Sequence, residues 1–150
     1  MVERCLREGA RVRALVRSAE TLLPRGVEPV RGDLSDPAAL RRAVEAMQCV
    51  VHCAAEVSAD LQRCTSVNRE GTRLLLQAME EGGVRALVHV STVSVYDYRA
   101  GLEFDEESPV WTEPLDAYGF TKAEGERGVR ARAGLRRRTP PARARCTGAR

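Results

Sequence analysis

The 150-residue sequence is long enough for one modest domain with a hydrophobic core. It contains no apolar run long enough to span a bilayer and no signal peptide ahead of Glu3 and Arg4, so no membrane contact and a cytoplasmic location are expected. The net charge of +3 is uneven: residues 1–126 carry 15 Lys+Arg against 21 Asp+Glu, giving −6, whereas residues 127–150 carry nine Arg and no acid. A nucleic-acid interaction therefore has only that tail to rest on, and no aromatic residues interleave with its arginines to stack on bases. The five cysteines are odd in number and lack metal-ligand spacing, so reduced thiols and no metal are expected.

In chain order, residues 1–8 read as the closing turns of an amphipathic helix stopped by Gly9. Val12, Leu15 and Val16 predict a strand with Arg17 at its end. In a nucleotide-binding βαβ unit that position meets the adenosine ribose, where an acid suits a free 2′-hydroxyl and an arginine a 2′-phosphate. Arg17, with Ser18 beside it, thus favours NADP with NAD as the alternative; a merely solvated arginine is the competing reading. Residues 27–30 predict a second strand leading into RGDLSDPAAL. There Asp33 reads as a turn residue after Gly32, and Asp36 as the N-cap of a helix with Pro37 first. That helix is expected to run to about Met47, with Leu40, Val44 and Met47 on one face.

Residues 49–55, CVVHCAA, predict a buried strand ending in small side chains that let a cofactor approach the backbone; His52 reads as packed in the sheet. Residues 60–81 form the longest predicted helix, terminated by Gly82-Gly83. Within it Asn68, the only asparagine, has no evident structural use, and Gly71 suits close packing on a neighbour. Ala86, Leu87, Val88 and Val90 predict a strand delivering Ser91 and Thr92 at its carboxyl end. The acidic loop over residues 97–116, which holds the sole tryptophan, Trp111, reads as solvated. From about Asp116 the chain is helical, and the i, i+4 spacing puts Tyr118 and Lys122 on one face. A phenol beside an ammonium loses its proton more easily. With a strand-borne hydroxyl to hold a carbonyl or alcohol oxygen, the three residues form a proton relay for oxidising an alcohol or reducing a ketone.

The run HVSTVSVYD followed by AYGFTK resembles the active-site region of the extended short-chain dehydrogenase/reductase family, the NAD(P)-dependent epimerases, dehydratases and 3β-hydroxysteroid dehydrogenases. The resemblance spans roughly residues 1–126. It implies an α/β fold, a partial Rossmann-type doubly wound parallel sheet lacking its first strand and the C-terminal substrate domain. It makes Thr92 the catalytic hydroxyl, Tyr118 the acid/base, and Lys122 both its partner and a ligand of the nicotinamide ribose. It also assigns Asp33 and Leu34 to the adenine ring, lines the cofactor cleft with Cys53, Ala54 and Ala55, and, through VNREGT, sets Asn68 beside cofactor and active site. The implied substrate is a small molecule with a hydroxyl/keto centre, such as a nucleotide sugar or sterol, and the full-length relative is a possible homodimer.

The family's first strand and its G-x-x-G-x-x-G turn have no counterpart in the sequence, and Met1 falls inside the helix that follows that turn. In the order 3-2-1-4-5-6 that strand is central. An opened sheet, low stability and weak dinucleotide binding are therefore expected, each buried unpaired backbone group costing about 1–3 kcal/mol. After Arg127 the composition turns to Arg, Ala, Pro, Gly and Thr, so residues 1–126 are expected to form the nucleotide-binding unit and residues 127–150 a disordered basic tail, read as the frame-shifted product of a GC-rich gene. A non-catalytic dinucleotide sensor and a basic-tailed nucleic-acid-binding fragment are the competing functions.

Overall fold

A computed structural model describes residues 1–101 and 103–132. β1 (Val12–Val16) and β2 (Val27–Arg31) form one parallel pair, with Val12 opposite Val27; β3 (Cys49–His52) and β4 (Ala86–His89) form a second, with His52 opposite His89. No ladder joins the two pairs. The opened sheet expected from the sequence is thus what the chain forms.

The helices are α1 (Val2–Arg7), α2 (Pro37–Val44), α3 (Leu61–Cys64), α4 (Thr72–Glu81) and α5 (Ala117–Arg132), with a π-helical segment, Thr65–Gly71, joining α3 to α4. Asp36 caps α2 by accepting from the amides of Ala38 and Ala39 at 2.9 and 3.0 Å. α2 ends at Val44, short of Met47, because Ala46 takes a left-handed φ of 56°. Arg13, on β1, donates to the carbonyls of Arg42 and Glu45 at that end. Asp60 caps α3 in the same manner as Asp36 caps α2.

Leu40 and Val44 of α2 pack with Leu75 and Met79 of α4, and Leu15, Val50 and Leu87 join them from three strands. This shared core, rather than backbone pairing, unites the two half-sheets. Gly71 allows the π-helical segment to lie on Leu34, whose Cβ would stand 2.7 Å from a Cβ added there. Val51, Val88 and Val90 remain 39–51% exposed, although strands of a parallel sheet are ordinarily covered on both faces.

The compositional break at Arg127 is not a structural boundary: residues 127–132 continue α5, because Arg127, Arg130 and Arg132 pair with Glu124, Glu126 and Glu80. The rest of the expected tail, residues 133–150, lies outside the described residues. Among those described, no helix is long and apolar enough to cross a membrane.

Candidate active site

Because β3 and β4 are parallel and in register, the chain leaves both at the same edge, and the amide of Val90 extends the ladder by donating to the carbonyl of His52 at 3.0 Å. Cys53, Ala54 and Ala55, all exposed, follow one strand, and Val90, Ser91 and Thr92 follow the other. Thr92 caps a 3-10 turn, Val93–Val95, its Oγ1 accepting from the amide of Ser94 at 3.2 Å. Asp116 Oδ1 accepts from the amide of Tyr118 at 3.1 Å and starts α5.

Two fastenings on either side of Thr92 bring α5 to this strand exit. Lys122 Nζ donates to the Val90 carbonyl at 2.7 Å. Gly119 lies so close to the turn that a Cβ there would stand 2.1 Å from the Ser94 carbonyl oxygen. Lys122 and Gly119 of α5 therefore lie against the chain on either side of Thr92. Tyr118 and Thr92 are half-buried, while Lys122 is buried.

Burial is the main force on Lys122 and pushes its amine below the ordinary lysine range; Glu126 and Cys53 act in the opposite direction. Beside it, the His52 and His89 rings lie 5.2 Å apart between centroids. Desolvation, then His89, then Lys122 hold His52 neutral, its pKa pushed down to about 4. Its Nε2 shares a 2.9 Å hydrogen bond with Thr72 Oγ1, which places it within the packed sheet and helix layer as the sequence suggests. His89 is also pushed down, first by burial, and neither ring nitrogen has a partner among the described residues.

Asn68 has the structural use that its sequence context did not reveal. Its Nδ2 donates to the Glu56 carbonyl and to Thr121 Oγ1, each at 3.0 Å, and its Oδ1 accepts from the Glu56 amide at 2.9 Å. Both amide hydrogens are thereby committed to the protein, and the side chain clamps the loop after β3 to α5 one residue before Lys122, at Thr121. α5 approaches Asn68 closely through Gly125, where a Cβ would stand 2.5 Å from the Asn68 carbonyl oxygen.

The other predicted cofactor residues stand at the end of the β1–β2 pair. Arg17 and Asp33 are exposed and close enough for the guanidinium to contribute to a lowered Asp33 pKa, whose largest cause is the Ser35 hydroxyl, donating at 2.6 Å. Leu34 does not present its side chain to a ligand: it is 9% exposed and belongs to the core. No hydrogen bond or ion pair among the described residues joins this group to Lys122 and Thr92. In the loop after β4, Glu103, Asp105, Glu106 and Glu107 are exposed, as a solvated acidic loop requires, whereas Trp111 is not. Tyr96 and Val110 form an antiparallel bridge, and Trp111, 1% exposed, is buried against the Tyr98 edge and under the Arg99 guanidinium.

The NAD dependent epimerase/dehydratase family model matches residues 1–140. The chain belongs to that family. Within it, the chain is 36% identical over 138 residues to sterol demethylase protein B of Methylococcus capsulatus, covering 86% of this chain and 42% of that protein. It is 36% identical over 104 residues to mouse dTDP-D-glucose 4,6-dehydratase, covering 65% of this chain and 29% of that protein. A short-chain dehydrogenase/reductase superfamily protein from Agrobacterium tumefaciens, solved with bound NAD, is 36% identical with a TM-score of 0.73, over 87% of this chain and 40% of that one. The chain thus spans less than half the length of these relatives. The family's members are NAD-dependent enzymes with a Rossmann-type fold, in agreement with the motif reading.

The residues present fit part of a dinucleotide. Open small residues follow β3, a sole lysine (Lys122, in a chain with 23 arginines) faces the same edge, and Arg17 stands after β1, whereas the glycine turn that cradles a pyrophosphate is not among the 150 residues. That single lysine was a sequence signal for the site: an arginine there would be a permanently charged planar fork, a different group chemically.

Proposed function

We propose that this chain carries the proton-transfer machinery of an NAD(P)-dependent oxidoreductase, epimerase or dehydratase acting on a hydroxyl/keto centre of a small molecule such as a nucleotide sugar or sterol, in the cytoplasm. The observation that carries it is the fastening of α5 to the β4 exit through Lys122–Val90 and Gly119–Ser94, with Thr92 between. A bound nicotinamide supplies or accepts the hydride. Thr92 Oγ1 holds the substrate oxygen, and Tyr118 gives or takes its proton. Lys122 holds positive charge one helical turn from Tyr118 and offers its ammonium to the nicotinamide ribose. Cys53, Ala54 and Ala55 leave the backbone after β3 accessible to the cofactor.

NADP is the favoured cofactor, supported by exposed Arg17 just after β1. The isolated 150 residues turn over poorly, because β1 and β3 have no strand between them and the pyrophosphate cradle is not present in the sequence. The test is hydride transfer in a chimera carrying the glycine-turn strand and substrate domain of the Agrobacterium relative. Tyr118→Phe is expected to lower kcat about 100-fold or more, and a fully active Tyr118→Phe chimera refutes the assignment.

A further inference from the structure

Burial disfavours the charge of Lys122, and Glu126 and Cys53 favour it. His52 from β3 and His89 from β4 approach it as neutral rings, Cys53 lies at the end of β3, and Tyr118 precedes it by one turn on α5. Among the described residues no salt bridge reaches it, and its ammonium donates to the Val90 carbonyl. One turn further along the same helix face is Glu126, with a side chain only 20% exposed. Ser91 Oγ, next in sequence to Val90, donates to Glu126 Oε2 at 3.0 Å, and Arg130 pairs with Oε1. The carboxylate is thereby held from both sides, by the strand exit and by the next turn of α5. It also faces His89 and the Tyr96 phenol, and raises the pKa of each.

We propose that Glu126 is a positioning residue for the Tyr118–Lys122 pair: held by Ser91 and Arg130, its carboxylate is the counter-charge that keeps Lys122 an ammonium seated on the Val90 carbonyl. This rests on the reading of Tyr118 and Lys122 as the proton-transfer pair. Ser91 and Val90 are adjacent, so Ser91–Glu126 and Val90–Lys122 form two rungs between the strand exit and successive turns of α5. The charge that tunes the phenol and the backbone that carries Thr92 are then set by the same pair of contacts. The field of Glu126 opposes the desolvation of the amine.

Because Lys122 is the only lysine, one labelled Nζ/Cε resonance reports its ionisation in the full 150-residue chain, without cofactor or turnover. Glu126→Gln keeps the shape and the acceptor for Ser91 but removes the charge. It is expected to lower the Lys122 titration midpoint by about half a unit or more, and Glu126→Asp to return it most of the way. An unchanged or raised midpoint in Glu126→Gln overturns the proposal. Should Glu126→Gln fail to fold by circular dichroism, Ser91→Ala carries the test: its substitution site is exposed, and loosening the carboxylate is expected to lower the midpoint by a smaller step. No movement there overturns it equally. An inactive Tyr118→Phe chimera with an unmoved Lys122 midpoint sinks Glu126 alone, whereas the reverse pair of results sinks the proton-transfer reading alone.

Discussion

The two strand pairs of this molecule carry the two ends of the same expected ligand, but they are built differently. At the end of β3–β4, polar side chains bind inside the fold: Asn68 on Glu56 and Thr121, His52 on Thr72, and Lys122 on Val90. At the end of β1–β2, Arg17 and Asp33 lie at the surface, and the hydrogen bonds of Asp33 are local, to Ser35. A buried polar network is costly when incomplete and rigid when complete. The β3–β4 end is therefore preorganised, as the proposed proton transfer demands, while the end expected to meet the adenosine is left accessible. Between the two runs an unpaired seam, bridged among the described residues by the shared core and by the packing of Gly71 on Leu34.

Substitutions in the two halves should separate this contrast sharply. Trp111→Ala, which empties the space beneath Arg99 and beside Gly119, is expected to cost about 3–5 kcal/mol in urea unfolding; a loss below 1 kcal/mol would show that the loop is not part of the folded unit. Asn68→Ala leaves the Glu56 amide and carbonyl and the Thr121 hydroxyl short of a partner, for an expected loss of about 2–4 kcal/mol. If solvent reaches those groups freely, the loss will instead resemble that of a surface change.

Acid sharpens the comparison further. His52 titrates near 4 when folded and near 6.5 when unfolded. The unfolded chain thus takes up a proton that the folded chain refuses, so stability is complete above about pH 6.5 and is lost as the pH falls toward 4. His89 contributes in the same direction. Thermal melts across that range should show a loss of about 2–3 kcal/mol, reduced in His52→Gln; an equally steep loss in that variant would assign the effect elsewhere. At the β1–β2 end, Arg17→Ala is expected to change stability by no more than about 0.5 kcal/mol. Its effect should appear only in the preference of the active chimera for NADPH over NADH, and an unchanged preference would remove Arg17 from cofactor selection.

Several parts of this architecture were readable before any coordinates, for local reasons. Asp36 caps its helix because the bond closes over two or three residues. Tyr118 and Lys122 share a face because helical periodicity requires it, and the run of strand formers before Ser91 does become β4. The burial of Trp111 was not legible, because it depends on residues beyond the loop: Gly119 on α5, and Arg127, which binds its carbonyl. Leu34 matched a motif position, yet its side chain was claimed by Gly71, 37 positions later.

The order of residues alone determined where the strands and helices lie, though not the π-helical stretch Thr65–Gly71 within the helix expected over 60–81, as well as the caps, the i, i+4 spacing of Tyr118 and Lys122, and the gap expected at the centre of the sheet, since each follows from steric and hydrogen-bonding rules acting over a few residues. Only the tertiary structure decided that Asn68 ties together segments 12 and 53 positions away, that Glu126 faces the strand exit, and that Lys122 is buried against Val90. Those outcomes depend on which surfaces hydrophobic burial presses together, and the desolvation that follows sets the ionisation of every group caught between them.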